Sequence, residues 1–356
     1  MKHALEGKQS ARVNIRTMAS QDLANWLELH DEPTFRAKQI YDWLWVKGAD
    51  NFGAMSNLPQ SLRSKMQEGF AFNIAQPDVV QKSQDGTIKV GFTLFDQRTV
   101  EGVIIPTSKR ITACISSQVG CSLHCSFCAT GKLKRDRNLD FSEIVDQVRG
   151  LNTLALDHFG RGLTNIVFMG MGEPLLNLEE VFKATETLTS ESAMNMASKR
   201  ITLSTVGIAR GIRKLAARGS KFNLAWSLHA ATNEKRARIM DINSSNPIEE
   251  VTDAIQEFYM TTKRKVTLEY ILFQKFNDSE EDAMQLAKIA QQFPCFINLI
   301  EYNAVEGVNL QRSTPTRARR FLEILHDKGL EAHLRRSRGH DIDAACGQLA
   351  GKSTKG

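Results

Sequence analysis

Two kinds of hydrophobic spacing divide the chain. Residues 17–72 place their apolar side chains at helical intervals, with Ser20 beginning one helix and 36–44 carrying the apolar face of another. This first region also contains three of the four tryptophans and several lysines, which suit either a packed core or contact with nucleic acid. The pattern predicts a small helical domain.

The following residues change to a period of two. Across 79–105, polar positions alternate with β-branched ones around Asp85-Gly86, a pair typical of a hairpin turn. A second strand pair is predicted at 91–94 and 99–105. This region is therefore predicted to be a β-hairpin extension.

From Arg110 onward, short β-rich runs alternate with helical periods, which predicts parallel strands joined by helical crossovers. The clearest helix has Asp140 as its N-cap and Glu143 three residues later, a pairing typical of a capping box. The six predicted strands are 111–116, 165–169, 200–204, 223–227, 266–271 and 297–301.

The predicted fold class is α/β: a partial (β/α)6 barrel preceded by the helical domain and the hairpin extension. A chain of 356 residues is long enough for more than one domain. The predicted boundaries are a variable N-terminal tail (1–16), a helical accessory domain (17–75), a β-strand extension (76–109), the partial barrel (110–305) and a C-terminal extension (306–356).

A net charge of +6 and an isoelectric point near 9.0 favour a polyanionic partner. Each basic cluster taken alone is equally compatible with a solvated surface. The clusters are Lys132, Lys134, Arg135 and Arg137; Lys199-Arg200; Lys235-Arg236 with Arg238; 263–265; Arg317, Arg319 and Arg320; and Arg335-Arg336 with Arg338.

Cysteine usage and hydropathy predict a cytoplasmic protein. Three of the six cysteines lie within eight residues, which does not resemble a disulfide framework, and residues 1–18 lack the apolar run of a signal peptide. No apolar run approaches the roughly 20 residues that a membrane helix requires, so no membrane association is expected.

The candidate chemistry begins with Cys121, Cys125 and Cys128 in the spacing C-x3-C-x2-C. A structural zinc site takes four ligands and usually shows its cysteines in pairs, whereas three clustered thiolates can hold a four-iron cluster and leave one iron open. A buried loop with unrelated thiols is the plain alternative.

Further polar residues follow the predicted strands at their carboxyl ends, where ligands collect in α/β folds. The second strand is followed by Gly172-Glu173, where glycine admits a ligand to the backbone and the carboxylate can accept from an ammonium group. The other residues at this edge are Ser204, Ser227, Leu228, His229 and Asn303. Each is weak evidence alone, but together behind the three cysteines they predict one site.

Three cysteines and one carboxylate stand apart from these motifs. Cys295 lies in an apolar setting and is expected to be an inert core thiol. Cys114 lies on the first barrel strand, and Cys346 lies in a glycine- and alanine-rich segment that suits a mobile loop, on which a thiol can act as a carrier. Glu101 lies beside an apolar run of a predicted strand.

These motifs resemble a known family. The cysteine loop with Phe127 resembles that of radical S-adenosylmethionine (SAM) enzymes, and Gly172-Glu173-Pro174 resembles their methionine-amine motif. More narrowly, 170–177 and 341–349 resemble the RlmN branch of the RlmN/Cfr RNA adenine methyltransferases. The resemblance runs from the helical domain to about Gly351.

The resemblance implies a [4Fe-4S] cluster on Cys121, Cys125 and Cys128, with SAM bound to its open iron. It implies SAM contacts from Gly172, Glu173, Ser204, Ser227, Leu228, His229 and Asn303. Two SAM molecules are used per turnover, one as methyl donor and one as radical source.

The resemblance also implies the reaction. Cys346 takes a methyl group, a SAM-derived radical removes hydrogen from it, and the resulting carbon radical adds to adenine carbon 2. Cys114 then resolves the RNA adduct by forming a disulfide with Cys346, and Glu101 is a candidate base for the carbon-2 proton. The sequence does not apportion that proton between Glu101 and Cys114.

The implied substrates are an adenine in the peptidyl-transferase region of 23S rRNA and the adenine 3′ to the anticodon in some tRNAs. A reductant such as flavodoxin and a monomeric enzyme are expected. We expect the helical domain with Lys132, Lys134, Arg135, Arg336 and Arg338 to contact RNA phosphates. The alternatives are a Cfr-type methylation at adenine carbon 8 and a non-catalytic iron–sulfur RNA-binding protein.

Overall fold

The computed structural model describes residues 12–191 and 193–351. The chain divides into two compact units. The first extends to Ile74 and includes Ser190–Asn195; the second comprises Ala75–Thr189 and the chain from Met196 onward. Residues 1–11 of the predicted N-terminal tail and 352–356 of the predicted C-terminal extension lie outside the described residues.

The first unit is helical, as its spacing predicts. Its helices are α1 (Ser20–Leu29), α2 (Arg36–Trp45) and α3 (Gln60–Gly69). Trp45 is buried in the core beneath the Arg16 guanidinium, 5.1 Å from the ring centroid. Trp26 and Trp43 are only half-buried, so the tryptophans serve the core to different extents.

The second unit is built on one open sheet, in which the described residues form ten strands. An antiparallel meander comes first: β1 (Gln76–Lys82), β2 (Ile88–Thr93) and β3 (Thr99–Pro106). The hairpin at Asp85-Gly86 is confirmed. The second predicted strand pair is not separate from it, because β2 is one continuous strand that pairs with both neighbours.

The first barrel strand is β4 (Ile111–Cys114), and a short ribbon of β5 (Gln118–Val119) and β6 (Arg137–Asn138) lies beside the sheet. The remaining strands are β7 (Asn165–Phe168), β8 (Ile201–Thr205), β9 (Asn223–Ser227), β10 (Val266–Leu272), β11 (Cys295–Glu301) and β12 (Ala332–Arg335).

Strands β4 and β7–β12 pair in parallel in chain order, so their carboxyl ends lie along one edge. All six predicted barrel strands are confirmed within a few residues. A seventh parallel strand, β12, is an addition that the sequence did not predict, because its four residues lack an apolar run.

Helices join these strands as crossovers. They are α4 (Phe141–Phe159), α5 (Leu178–Thr189), α6 (Ala209–Ala217), α7 (Asn233–Ala237), α8 (Ile248–Thr262), α9 (Glu280–Ala290) and α10 (Pro315–Asp327). The predicted capping box of α4 is confirmed: Asp140 Oδ1 accepts from the Glu143 amide at 3.0 Å, and Glu143 Oε2 accepts from the Asp140 amide at 3.0 Å. Within the described residues, no helix is long and apolar enough to cross a membrane.

Candidate active site

Two adjoining cavities lie within the barrel. The rim cavity, of about 140 Å³, is at the carboxyl ends of the strands, and the inner cavity, of about 480 Å³, runs deeper between β4 and β12. The thiol-bearing residue Cys346 lines both, and so does Glu269 on β10. The two cavities therefore share part of their wall, including Cys346, the predicted methyl carrier.

The three clustered cysteines line the rim cavity. Their loop is closed by short-range hydrogen bonds, including those from the Cys128 amide to the Cys125 carbonyl and from the Gly131 amide to the Cys128 carbonyl, both 3.1 Å. A side chain at Gly131 would place its Cβ 2.7 Å from the Cys125 carbonyl oxygen, so the tight turn requires glycine. Phe127 packs edge-on to His229, with ring centroids 5.0 Å apart.

The surroundings of these thiols are apolar. Cys125 belongs to a buried cluster with Leu123, Phe127 and Phe273, and Cys121 and Cys128 pack against it. Burial raises the pKa of Cys121 to about 11 and holds that of Cys125 well above its usual range, so thiolates here need a positively charged partner.

The donor set fits a cluster better than a single ion. In the described part of the chain, no group of three or more His, Cys, Asp or Glu side chains is close enough to bind one metal ion. An iron–sulfur cluster is larger than one ion, so its cysteine ligands stand farther apart around a shared cavity. Three thiols that line one cavity without converging on a point suit the cluster.

Glu173 is buried in the wall of the rim cavity. Its Oε1 accepts from the Leu175 amide at 3.0 Å and its Oε2 accepts from the Val206 amide at 2.9 Å, which fixes its carboxylate between β7 and β8. Burial raises its pKa to about 7, although these hydrogen bonds act in the opposite direction. The adjacent Gly172 has φ +93°, and a Cβ there would lie 2.5 Å from the Gln118 side chain.

The rim cavity also contains Ser204, Ser227 and His229. The two serine hydroxyls are 3.4 Å apart. His229 is buried, and burial together with Arg236 lowers its pKa to about 3, so its ring is neutral. Because its Nδ1 accepts from the Ile271 amide at 3.2 Å, its Nε2 carries the proton and is a hydrogen-bond donor.

Two predicted SAM contacts do not line either cavity. Leu228 is fully buried, and its carbonyl accepts from Arg236 Nε at 3.2 Å. Asn303 Nδ2 donates to the Cys346 carbonyl at 3.4 Å, and its buried Oδ1 has no hydrogen-bond partner among the described residues. Asn303 therefore contacts the segment that carries Cys346, with one oxygen still available to a ligand.

Replacing Glu173 with glutamine should raise the KM for SAM by about tenfold or more, because it removes the charge that a SAM ammonium group would pair with while keeping the side-chain size. SAM-dependent formation of 5′-deoxyadenosine measures the effect. Glu179→Gln is the matched control, since Glu179 is exposed and pairs with Arg218 on the surface. An unchanged KM for SAM in Glu173→Gln would show that Glu173 does not pair with the ammonium group of SAM.

The segment that carries Cys346 is held at several points rather than being the mobile loop that its composition suggested. Ala344, Ala345 and Leu349 are buried. The Gly347 carbonyl accepts from the Ala129 amide at 2.7 Å, which joins the segment to the cysteine loop.

Further contacts fix the same segment on both sides. Thr130 Oγ1 donates to the Leu349 carbonyl at 2.6 Å, and Gln348 Nε2 donates to the Ala304 carbonyl at 3.1 Å. On the N-terminal side, Asp341 accepts from the Ser83 hydroxyl at 2.5 Å and from the Gln84 amide at 3.1 Å. Cys346 is thereby held at the junction of the two cavities.

Cys114, the last residue of β4, lines the inner cavity together with Cys346. Burial, and then the proximity of Cys346, raises the pKa of Cys114 to about 12. The two cysteines that the resemblance paired in the reaction thus line one cavity, and both are free thiols in this structure.

Glu101 lies on β3 and is buried, but it lines neither cavity. Its Oε2 accepts from the Ala350 and Gly351 amides at 2.8 and 3.1 Å, and its Oε1 is 3.5 Å from Lys89 Nζ. In this conformation Glu101 anchors the segment that carries Cys346.

The predicted phosphate contacts Lys132, Lys134, Arg135, Arg336 and Arg338 are all exposed. Two members of the basic clusters are not available for RNA. Arg236 is fully buried and donates to the carbonyls of Leu228, Val206 and Asn246, and Arg137 pairs with Asp96 and Glu143. These two arginines stabilise the fold.

The sequence missed Glu269, Arg335 and Asn298, which also line the inner cavity. A signal for Glu269 was present: a charged residue in the middle of an apolar parallel strand requires a partner or a function. Arg335 was visible only as part of a basic cluster, because β12 was not predicted.

Comparison with known proteins agrees with this geometry. Residues 115–287 match the family model of the radical SAM superfamily, and residues 13–71 match that of the ribosomal RNA large subunit methyltransferase N-terminal domain. The crystal structure of a radical SAM methyltransferase from Sphaerobacter thermophilus covers 96% of this chain and is itself covered completely, with a TM-score of 0.89 and 37% sequence identity.

The fold and the three-cysteine site define a radical SAM enzyme, whose cofactors are a [4Fe-4S] cluster and SAM. Among curated relatives, the probable dual-specificity RNA methyltransferase RlmN of Christiangramia forsetii is 45% identical over 98% of this chain and 99% of its own. The corresponding protein of Cytophaga hutchinsonii is 47% identical over 96% and 93%. The chain belongs to the RlmN family of RNA methyltransferases, which the comparisons support over the Cfr alternative.

Proposed function

We propose that this enzyme methylates carbon 2 of an adenine in the peptidyl-transferase region of 23S rRNA and of the adenine 3′ to the anticodon in some tRNAs. The observation that carries the proposal is the position of Cys346: it lines the rim cavity with the three cluster cysteines and the inner cavity with Cys114. A thiol at this junction is suited to accept a methyl group on the side of the rim cavity and to deliver it on the side of the inner cavity.

Cys121, Cys125 and Cys128 would hold the cluster, and Gly172, Glu173, Ser204, Ser227 and His229 would line the SAM site. Leu228 and Asn303, which do not line either cavity, would support the residues of that site. When bound, these cofactors supply a methyl group and a 5′-deoxyadenosyl radical. The apolar packing around the cysteine loop would limit water at the place where that radical would react.

The chain's own residues account for the covalent steps. Adenine carbon 2 is electron-poor and does not attack a sulfonium methyl group, so Cys346 carries the one-carbon unit and becomes linked through it to the RNA. The adduct loses the carbon-2 proton and its unpaired electron, which the oxidised cluster would accept, and the Cys114 thiolate then attacks the Cys346 sulfur. The S–S bond forms, the sulfur–carbon bond breaks, and its electron pair leaves with the RNA methylene, which takes a proton to become methyl.

This sequence of steps leaves the two cysteines oxidised, so a thiol reductant must restore them before the next turnover. The thiol of Cys114 is protonated at neutral pH, because its pKa is raised to about 12, and it needs a base before it can attack. Glu101 is the proposed base for carbon 2, provided that its carboxylate is released from the Ala350 and Gly351 amides.

The domain boundaries predicted from the sequence are retained as proposed functional divisions. The helical accessory domain would bind RNA, the barrel would hold the cofactors, and the C-terminal extension would carry Cys346. The exposed basic residues Lys132, Lys134, Arg135, Arg336 and Arg338 would contact phosphates. We further propose a cytoplasmic monomer that takes electrons from a reductant such as flavodoxin.

Nucleoside analysis tests the proposed function. The anaerobically reconstituted protein with dithionite, SAM and 23S rRNA or tRNA should produce 2-methyladenosine and 5′-deoxyadenosine, and RNA from a strain lacking the protein should lack 2-methyladenosine. A product methylated at carbon 8 would contradict the proposal and support the Cfr-type reaction. Absence of 5′-deoxyadenosine would support the non-catalytic alternative.

A further inference from the structure

The proposed reaction leaves two charged residues of the inner cavity without a role. Glu269, in the middle of β10, is only 4% exposed. Its Oε1 accepts from Asn298 Nδ2 at 3.0 Å, which orients the carboxylate, while its buried Oε2 has no hydrogen-bond partner among the described residues. A buried carboxylate oxygen without a donor is costly, so its retention calls for a ligand.

The second charged residue is Arg335, at the end of β12. Strand β11 separates it from Glu269, and its register partner is Ile300. The Arg335 side chain is half-buried and lines the same cavity, yet within the described residues it forms no hydrogen bond and no ion pair. Its charge interacts with Cys346, Glu269 and Cys114, which raises its pKa, and all four residues line the inner cavity.

Glu269 and Arg335 therefore face one cavity with opposite charges that do not meet. A ligand between them has to present a hydrogen-bond donor to the carboxylate and, beside it, an acceptor to the guanidinium. The Watson–Crick edge of adenine has this pattern, because the N6 amino group is a donor and the neighbouring N1 is an acceptor. Guanine has the reverse pattern, with an acceptor at O6 and a donor at N1.

We propose that Glu269 and Arg335 bind the Watson–Crick edge of the target adenine, with Glu269 accepting from N6 and Arg335 donating to N1. The assignment rests on the proposed function and adds the residues that select the base. The cavity of about 480 Å³ accommodates a purine, and the exposed Arg110, Arg336 and Arg338 also line it, where the attached phosphates would lie.

The same orientation accounts for reaction at carbon 2. Carbon 2 is bonded to N1, so a base held through N1 by Arg335 presents carbon 2 to the side of the cavity where Cys346 and Cys114 lie. Carbon 8 is on the opposite side of the purine and would point away from both cysteines. A hydrogen bond to N1 also withdraws electron density from the neighbouring carbon and favours proton loss there.

Substrate analogues combined with variants test the assignment. An RNA that the wild-type enzyme methylates is prepared with purine riboside, which lacks the N6 amino group, or with 1-deazaadenosine, which lacks the N1 acceptor, at the target position. With the wild type, kcat/KM should fall about 10- to 100-fold on each analogue. Glu269→Ala should lower kcat/KM on adenine by a similar factor, but it should lower kcat/KM on purine riboside little further. Arg335→Met should show the same pattern with adenine and 1-deazaadenosine.

Several controls keep the outcomes distinct. Thr267→Val changes the same cavity wall without touching a charge and should retain the full discrimination of the wild type. Glu269→Gln keeps the volume, and the visible absorbance of the cluster shows that each variant is folded. If Glu269→Ala still discriminates as the wild type does, the contact to N6 is wrong.

A second result would also overturn the assignment. If Glu269→Ala raises the KM for SAM in RNA-independent 5′-deoxyadenosine formation and leaves base discrimination unchanged, Glu269 binds SAM and not the target base. Wild-type production of 2-methyladenosine is measured first. If that product forms but the variants show no coupling with the analogues, the base-recognition inference fails while the proposed function stands.

Discussion

Cys346→Ala should abolish methyl transfer to RNA, with a loss of about 10³-fold or more, while the cluster remains intact. The reason is that no other thiol can replace it: among the described cysteines, it alone lines both cavities, and adenine carbon 2 cannot take a methyl group by direct displacement. Mass spectrometry should show loss of the methyl group on the protein and of 2-methyladenosine in the RNA. Visible absorbance should be unchanged.

Cys295→Ala is the matched control for this prediction. Cys295 is a half-buried thiol at the start of β11, at the opposite end of the parallel strands, where its Sγ donates to the Ala290 carbonyl at 3.4 Å. Its removal should leave methylation near the wild-type rate. Retained carbon-2 methylation in Cys346→Ala would refute the carrier role of Cys346.

Glu101→Ala is expected to have the second large effect, and it distinguishes an anchor from a base. The substitution leaves the Ala350 and Gly351 amides without their acceptor and Lys89 without its counter-charge in a buried position. Loss of a hydrogen-bonded charge at such a site costs about 3–5 kcal/mol. We expect faster hydrogen exchange across 344–351 and a fall in the methylation of Cys346 that precedes any RNA chemistry.

Glu101→Gln separates the two roles. Glutamine keeps one acceptor oxygen for the amides, so an anchor should be partly rescued: Cys346 should be methylated more completely than in Glu101→Ala. If Glu101 acts as a base, Glu101→Gln should be as inactive as Glu101→Ala, because glutamine cannot take a proton. If both variants carry a fully methylated Cys346 and stall only after RNA is attached, Glu101 acts as the base and its contacts with Ala350 and Gly351 are incidental.

Asp341→Ala provides a further comparison, because Asp341 anchors the other side of the same segment through Ser83 and Gln84. Asp341 is exposed, so its loss should have a smaller effect of the same kind. A normal level of Cys346 methylation in Asp341→Ala and in Glu101→Ala together would show that the segment does not depend on these anchors.

Much of the architecture was predictable because it follows from local rules. The capping box at Asp140, the turn at Asp85-Gly86 and the alternation of apolar strands with helical periods each depend on a few neighbouring residues. Strand β12 escaped prediction because four residues with little apolar character form a strand only through pairing with β11. The C-x3-C-x2-C spacing likewise favoured a four-iron cluster over a zinc site, because it brings three thiols together rather than paired cysteines.

The composition of the Cys346 segment was misleading for a physical reason. Glycine and alanine suit mobility in isolation, but small residues also allow close packing, and the hydrogen bonds that hold this segment come from residues as distant in sequence as Glu101 and Thr130. In the same way, the sequence placed Arg236 in a basic cluster, whereas the structure buries it. The sequence could not show this, because the partners of Arg236 are backbone carbonyls, which no side-chain pattern reveals.

The sequence by itself determined the fold class and the three-cysteine spacing of the predicted cluster loop, since these depend on spacing and periodicity within short stretches. Only the tertiary structure placed Cys114 and Cys346 in one cavity, showed Glu101 holding the segment that carries Cys346, and placed Glu269 and Arg335 in the wall of that same cavity. Those relations join residues far apart in the chain. They depend on the register and order of parallel strands, which the sheet fixes through long-range pairing.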